Sequence, residues 1–278
     1  ELLANMAESE WYPQEARDNR FRDFIEDSPD WNVSRQRYWG IPIPIWIPDS
    51  EATASNGGGE AADEWDGNVE SAIVVGTREE LAERVDQSID PDDVDLHKDT
   101  VDDITITEDG TTYTRVPDVF DVWLDSSVAS WGTLDYPEDE SALDELWPAD
   151  LIIEAHDQTR GWFWSQLGMG SAALEEVPYK QVLMHGWALA EDGRKMSKSI
   201  GNIVSPQEAI ERHGADPMRL FLLAQNPQGD DMRFSWDEME NRQRDLNILW
   251  NVFRFPLPYM RLDGFDPEAV SIEDADLE

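Results

Sequence analysis

The sequence contains no cysteine. Disulfides and thiolate metal sites are therefore excluded, zinc sites built on cysteine pairs among them. Lysine is nearly absent as well: Lys98, Lys180, Lys195 and Lys198 are all there are in 278 residues. Histidine is equally scarce, at positions 97, 156, 185 and 213. No apolar run approaches the roughly 20 residues that a bilayer-spanning helix needs, so no membrane partner is expected. The start, Glu1-Leu2-Leu3, has neither an initiator methionine nor a basic stretch leading into an apolar signal core. The expectation is a cytoplasmic chain that begins inside a longer protein.

What is abundant is negative charge. Acidic residues outnumber basic ones 61 to 21, for a formal net charge of −40, and they are spread along the chain rather than gathered in a tail. Apolar content of 40% with thirteen tryptophans argues against disorder, and the length allows one large domain or two smaller ones with a real core. Many carboxylates with few lysines suit a cytoplasm at molar salt, where the Debye length falls to about 3 Å and self-repulsion is screened. The competing explanation is an acidic protein of ordinary salt that avoids nucleic acid.

Read in order, residues 1–48 mix aromatic and basic residues and end in Ile41-Pro-Ile-Pro-Ile-Trp-Ile-Pro48. Alternating prolines exclude a helix and predict an extended edge segment rather than a central strand. Arg35 and Arg37, flanked by Trp39, suit contact with RNA or phosphate; they suit pairing with nearby carboxylates equally well. Residues 49–115 form a small inserted module. It opens on a flexible linker around Gly57-Gly-Gly59 and continues into a strand at 73–75. A helix follows, capped by Thr77 and Glu80, and then a hairpin turning at Asp109-Gly110. Residues 116–204 read as strand, helix, strand: an apolar run at 151–155 of the kind buried on both faces, a helix carrying Phe163, Leu167, Gly170 and Leu174, and a strand at 182–185. Such a unit makes a parallel crossover, and ligands bind at the carboxyl ends of its strands. Residues 205–278 read as helical, with capping boxes at Ser205 and Ser235 and one apolar face through Met239, Leu246, Leu249 and Phe253.

Two of the four lysines fall in one short stretch, Gly193-Arg-Lys-Met-Ser-Lys-Ser-Ile-Gly-Asn202. An exposed surface turn accounts for them. So does a loop that holds an anion, since two mobile ammonium groups suit a polyphosphate whose charge grows during reaction.

Four segments together resemble class I aminoacyl-tRNA synthetases, and within them the isoleucine enzymes: Ser34-Arg-Gln-Arg-Tyr-Trp-Gly40, Asp121-Val-Trp-Leu-Asp-Ser126, Glu154-Ala-His-Asp-Gln-Thr-Arg-Gly-Trp-Phe163 and the lysine loop. The resemblance runs from about residue 30 to 260. It implies the second half of a Rossmann-like α/β catalytic domain with a parallel sheet, a small insert, and a helical junction to the anticodon-binding domain. It also implies ATP with Mg2+, L-isoleucine and tRNA(Ile) as substrates of a monomeric parent enzyme. Lys195, Met196, Ser197, Lys198 and Ser199 would close over ATP, with Lys195 and Lys198 catalytic and Lys198 the stronger candidate at the transition state. Glu154, Asp157 and Gln158 would hold the isoleucyl-adenylate, and Trp123 and Trp162 would line the side-chain pocket. Read without the resemblance, the two tryptophans are ordinary core residues, and His156 and His185 are packed neutral histidines.

The sequence departs from that family in three ways. None of its histidines stands in a His-x-Gly-His pair, the other half of the family's ATP site. The editing insertion is missing, and the cysteine zinc site that members often carry cannot form. A fragment of a longer isoleucine enzyme is expected, inefficient at activation by itself. A valine enzyme, disfavoured by the 154–162 segment, and a non-catalytic tRNA-binding paralogue are the alternatives. If the acidity is salt adaptation, circular dichroism will report a largely unfolded chain near 0.05 M KCl and a folded one above about 1 M; full structure at low salt contradicts it.

Overall fold

The computed structural model describes residues 1–48, 71–137 and 139–269. The linker expected around Gly57–Gly59 lies outside the described residues. The chain divides into two compact units: residues 1–152 with 157–182, and 153–156 with 183–278.

The first unit opens with α1 (Leu2–Glu8), β1 (Glu10–Tyr12), a single wide helical turn at Ala16–Phe21, and α2 (Arg22–Glu26). After β2 (Ser34–Arg35) come β3 (Ile45–Pro48), β4 (Ile73–Val74), α3 (Arg78–Arg84), α4 (Lys98–Val101), β5 (Thr105–Glu108) and β6 (Thr111–Arg115). Next are β7 (Val119–Phe120), α5 (Val122–Ser127), and the short α6 (Ala129–Gly132) and α7 (Ser141–Leu146). The strand–helix–strand core then follows as β8 (Ala149–Ala155), α8 (Trp162–Leu174) and β9 (Tyr179–His185). β8 and β9 are neighbours in a sheet ordered β1-β9-β8, within a mixed α/β architecture with a parallel sheet. α8 lies where its spacing puts it: Phe163 and Leu167 are fully buried, and Gly170 lets Pro178 approach closely. Trp11 stacks on Phe21 at 4.8 Å and meets Phe163 edge-on at 5.2 Å. Tyr179, fully buried, satisfies its hydroxyl on the Phe163 carbonyl at 3.0 Å.

Two expectations fail here. The run at 151–155 is not buried on both faces, because Leu151 and Ile153 are about half exposed while Ile152 and Ala155 are buried. Leu151 and Ile153 share one face of β8, which is left uncovered, while Ile152 on the other face is buried; β8 is also an edge strand of its sheet. The proline-rich segment is not an edge either. β3 pairs with β4 on one side and β6 on the other, in the order β4-β3-β6-β5. The ladder is possible because Pro42 and Pro44 precede the strand and Pro48 ends it. The carbonyl of Pro44 accepts from Val75 N, which asks nothing of the missing N–H.

That four-stranded sheet closes a core of Trp46, Ile73, Val75, Leu81, Val101, Ile104 and Ile106. Thr77 caps α3 by accepting from Glu80 N at 3.1 Å, and the Glu80 carboxylate reaches Gly76 N at 2.8 Å. Asp109 and Gly110 both have positive φ, the backbone that a tight hairpin turn requires.

The second unit contains β10 (Ala188–Leu189), α9 (Pro206–His213), α10 (Ala215–Ala224), β11 (Met232–Arg233), α11 (Trp236–Arg254) and α12 (Pro256–Leu262). Its core is Ala209, Phe221, Met232, Phe234 and Met239. Ser235 caps α11 through Glu238 N, but Ser205 makes no side-chain cap bond to α9, so the second capping box is one of sequence only. Along α11 the expected apolar face is buried only at Met239, while Leu249 and Phe253 are 65% and 62% exposed.

Arg115 is the best-buried cation, with its side chain 1% exposed. It donates to Asp102 through Nε at 2.9 Å and through Nη2, and to the carbonyls of Ile43 and Asp118 through Nη1. Asp102→Ala will leave that charge uncompensated and cost about 2–3 kcal/mol, kept below the full buried-pair figure because Asp102 is one-third open. Urea unfolding in molar KCl measures it. Glu208→Ala, which removes an exposed partner of Arg212, will change little there.

Candidate active site

The lysine loop is built within the second unit. Leaving β9, the chain passes Gly186, where a side-chain carbon would overlap the carbonyl of Asp230. This close approach sets β10 beside β11, with Ala188 opposite Met232 and Leu189 opposite Arg233 in parallel register. The turn that follows closes through Gly193 N to Ala190 O at 2.8 Å and Ala190 N to Arg194 O at 2.9 Å. Gly193 has φ +79°, the backbone sign that favours glycine, and the Arg233 guanidinium lies against it. Asp192 accepts from Arg194 Nε at 2.7 Å and from Arg194 N at 3.0 Å, and the guanidinium holds its carboxyl below the usual carboxylate range.

The loop itself is fixed by its main chain. Asn202 Oδ1 accepts from Ser197 N at 2.9 Å, and Asn202 Nδ2 donates to Lys195 O at 3.3 Å. Ser197 and Ser199 share a hydroxyl hydrogen bond at 2.8 Å, and Ser197 O accepts from Ile200 N and Gly201 N. Met196 packs against the core of the unit. The two lysines lie outside this clamp. Lys195 Nζ stands 3.8 Å above the Trp187 ring, a cation–π contact. Lys198 is exposed and makes no hydrogen bond or ion pair among the described residues. Trp187 is held in turn. Its N–H donates to Asp231 Oδ1 at 2.7 Å, and the His156 ring meets it edge-on at 5.1 Å. His156 Nδ1 is 3.9 Å from the same carboxylate oxygen of Asp231. Glu154, also in this unit, is exposed near the carboxyl end of β8.

The remaining expected site residues belong to the first unit. Asp157 and Gln158 lie half-buried on the helical turn His156–Arg160 that leads into α8. Gln158 Oε1 accepts from Trp162 N at 2.9 Å, satisfying a free N–H at the start of α8, while its Nε2 donates to Asp157 Oδ2 at 3.3 Å. Gly161 makes room for this amide. Trp162 Nε1 donates to Ser126 O at 2.8 Å, so the tryptophan at the head of α8 is tied to α5, which carries Trp123. Trp123 is 40% exposed. Asp121 caps α5 through Trp123 N and takes the Arg35 guanidinium, so Arg35 is a carboxylate partner. Asp125, on the same helix, has one carboxylate oxygen buried with no hydrogen-bond partner among the described residues, and desolvation pushes its carboxyl above the usual range.

Sequence reasoning missed Trp187, Asp231 and the close passage at Gly186. A tryptophan immediately after the glycine that follows a parallel strand was the available signal. Asp125 lies within Asp121-Val-Trp-Leu-Asp-Ser126, but nothing local marks one of its oxygens as stranded.

Residues 1–235 match the family described as tRNA synthetases class I (I, L, M and V). The chain belongs to that family. Among curated relatives it is 82% identical, over all 278 residues, to an isoleucine--tRNA ligase of Natronomonas pharaonis. It is 69% identical over 288 aligned residues to that of Halobacterium salinarum and 48% identical over 278 to that of Methanothrix thermoacetophila. It spans about a quarter of the length of each, at 25%, 26% and 24%. The ternary complex of Agrobacterium radiobacter K84 agnB2 LeuRS with tRNA and LeuAMS superposes with a TM-score of 0.57 at 20% identity, over 88% of this chain and 32% of that one. Mycobacterium tuberculosis methionyl-tRNA synthetase with methionyl-adenylate gives 0.52 at 22%, over 87% and 34%. Both likenesses concern the fold. The acidic composition fits relatives from haloarchaea, and no helix among the described residues is long and apolar enough to cross a membrane.

Because the folded pKa of Asp125 is raised, its ionisation opposes folding, and the load grows as pH rises above the ordinary carboxylate value of about 3.9. Asp125→Asn will therefore raise stability at pH 7 relative to the parent, and the gain will shrink as pH falls toward 4, as read by parallel urea titrations.

Proposed function

We propose that the protein carrying this chain activates L-isoleucine with ATP and transfers it to tRNA(Ile), as a cytoplasmic, monomeric isoleucine--tRNA ligase. The observation that carries this reading is a loop whose backbone is tied down while the ammonium groups of Lys195 and Lys198 are left for a ligand. The relatives' names support the same amino acid.

The isoleucine carboxylate attacks the α-phosphorus of ATP, whose Mg2+ is carried on its phosphates. The mixed anhydride forms, and the bond to the β-phosphate breaks. Negative charge gathers on the departing pyrophosphate, where Lys195 and Lys198 stabilise it in a transition-state-selective way. Lys195 gives up its Trp187 ring to do so. Glu154 and Asp157 are the carboxylates available for the substrate ammonium. Gln158, with its carbonyl oxygen already held by Trp162 N, is a preset donor for the adenylate. Trp123 and Trp162 line the side-chain pocket. In the second step a ribose hydroxyl of the tRNA attacks the activated carbonyl and AMP leaves. One methylene separates isoleucine from valine, worth only about 1–3 kcal/mol in an apolar pocket, a magnitude established on isoleucine enzymes themselves.

Lys198→Ala in the full-length protein will slow isoleucine-dependent pyrophosphate exchange by about 10²–10³, the scale for losing one transition-state donor, with isoleucine binding little changed. A rate within about threefold of the parent removes Lys198 from the chemistry. Exchange driven equally by valine and isoleucine removes the amino-acid assignment.

A further inference from the structure

We propose that Arg233 is a third cation of the lysine loop, a static one, and holds the outer phosphates of ATP and of the departing pyrophosphate; the inference deepens the function proposed above and rests on it. Every residue it uses lies in the second unit. Leu189 is paired on both sides. It stands opposite Arg233 in the parallel ladder and forms an antiparallel bridge with Lys195. Directly paired residues project to the same side of a sheet, so Arg233 and Lys195 flank Leu189 on one face. Two strand spacings, about 10 Å, separate their main chains, a gap that two long side chains close from both sides. The neighbouring residues agree. Met232, Phe234 and Met196, each next to one of the two cations, pack in the core of the unit, which leaves the opposite face to Arg233 and Lys195. Trp187, two residues before Leu189, lies on that same face, as its 3.8 Å contact with Lys195 Nζ requires. The Arg233 guanidinium reaches the loop itself. A Cβ placed on Gly193 would stand 3.0 Å from its Cζ, so the fork rests against the turn that leads into Arg194 and Lys195.

The charge of this position sets it apart from its surroundings. Arg194, Arg212, Arg219, Arg242 and Arg244 each pair with a carboxylate a few residues away along the chain. Arg233 is exposed and makes no hydrogen bond or ion pair among the described residues, although Asp230, Asp231 and Asp237 are as near in sequence. Asp231 is committed to Trp187 N, and Asp192 across the turn is committed to Arg194. In a chain of charge −40, an arginine that stays unpaired among carboxylates is available to an anion from outside. Its planar fork of donors matches two phosphate oxygens at once, where an ammonium offers a point charge. Mobility divides the work further. Arg233 rises from β11 between two buried residues, Met232 and Phe234, while the lysines ride on a loop. A fixed fork grips the β- and γ-phosphates alike before and at the transition state, and the lysines supply the charge that is needed as the bond to the β-phosphate breaks.

The test uses Arg233→Gln and Arg233→Lys in the full-length protein at molar KCl, with circular dichroism as the check on folding. Arg233→Gln should raise the KM for ATP and for pyrophosphate in the exchange reaction about tenfold, the order for one lost hydrogen bond to a charged group, with kcat within about threefold of the parent. Arg233→Lys should recover part of the loss, because it restores the charge without the fork. Binding of a sulfamoyl analogue of isoleucyl-adenylate, which has no outer phosphates, should be the same in the parent and both variants. Tripolyphosphate, titrated calorimetrically, should bind Arg233→Gln about tenfold more weakly than the parent. An unchanged KM for ATP with unchanged tripolyphosphate binding overturns the proposal. So does a fall in kcat with an equal loss of analogue binding, which would make Arg233 a support for the turn at Gly193. Should Arg233→Gln not fold, Arg233→Lys decides: loss of the fork must still raise the KM for ATP roughly threefold, and no rise overturns the proposal. If the parent itself shows no isoleucine-dependent exchange, the functional reading fails, and the tripolyphosphate comparison still decides Arg233.

Discussion

The lysine loop depends on one amide. Asn202 bridges the two ends of the loop, accepting from Ser197 N and donating to Lys195 O, and it does with neutral hydrogen bonds what a salt bridge would do elsewhere. The distinction has consequences in a chain of charge −40. A loop held by ion pairs would spend its cations on its own carboxylates, which are everywhere. Here Asp192 is turned onto Arg194, Met196 is sunk into the unit's core, and the lysines stay outside those contacts. A loop whose main chain is already tied needs no backbone rearrangement for its ammonium groups to meet an anion, which lowers the reorganisation that electrostatic stabilisation costs.

The rest of the second unit serves that arrangement. Gly186 permits the backbone approach that puts β10 beside β11. Asp231 then fixes Trp187, and Trp187 gives Lys195 a neutral resting place. An aromatic face attracts an ammonium without the strength of a carboxylate partner, so the lysine can leave at modest cost. The first unit solves a similar problem with other means. Its buried cation, Arg115, is fully occupied, and the guanidinium of the exposed Arg37 makes no hydrogen bond or ion pair among the described residues.

Much of this was legible in the sequence where the pattern is local and periodic. The hairpin at Asp109-Gly110, the cap at Thr77, the α8 stripe and the flanking strands follow from turn chemistry and spacing. What escaped is non-local. Prolines at 42, 44 and 48 argue against a central strand only until the ladder is seen to use Ile45 to Ile47 and a proline carbonyl. The 151–155 run reads as doubly buried because local sequence does not say that the face of β8 carrying Leu151 and Ile153 is left uncovered. Among the candidate site residues, all expected from sequence, Gln158 has a structural duty at the start of α8 that no spacing rule reveals. Trp187 and Asp231 are separated by 44 residues and meet only in the fold.

The scarcity of lysine makes the central claim directly measurable. Side-chain resonances of four lysines can be resolved and assigned by single Lys→Arg substitutions, in this chain at molar KCl, while ATP or tripolyphosphate is added. The account predicts that Lys195 starts shifted by the Trp187 ring current and loses that shift on titration, that Lys198 moves with it, and that Lys98 and Lys180 stay where they are. Four resonances that remain still, or move alike, would contradict a loop built to hold a polyphosphate.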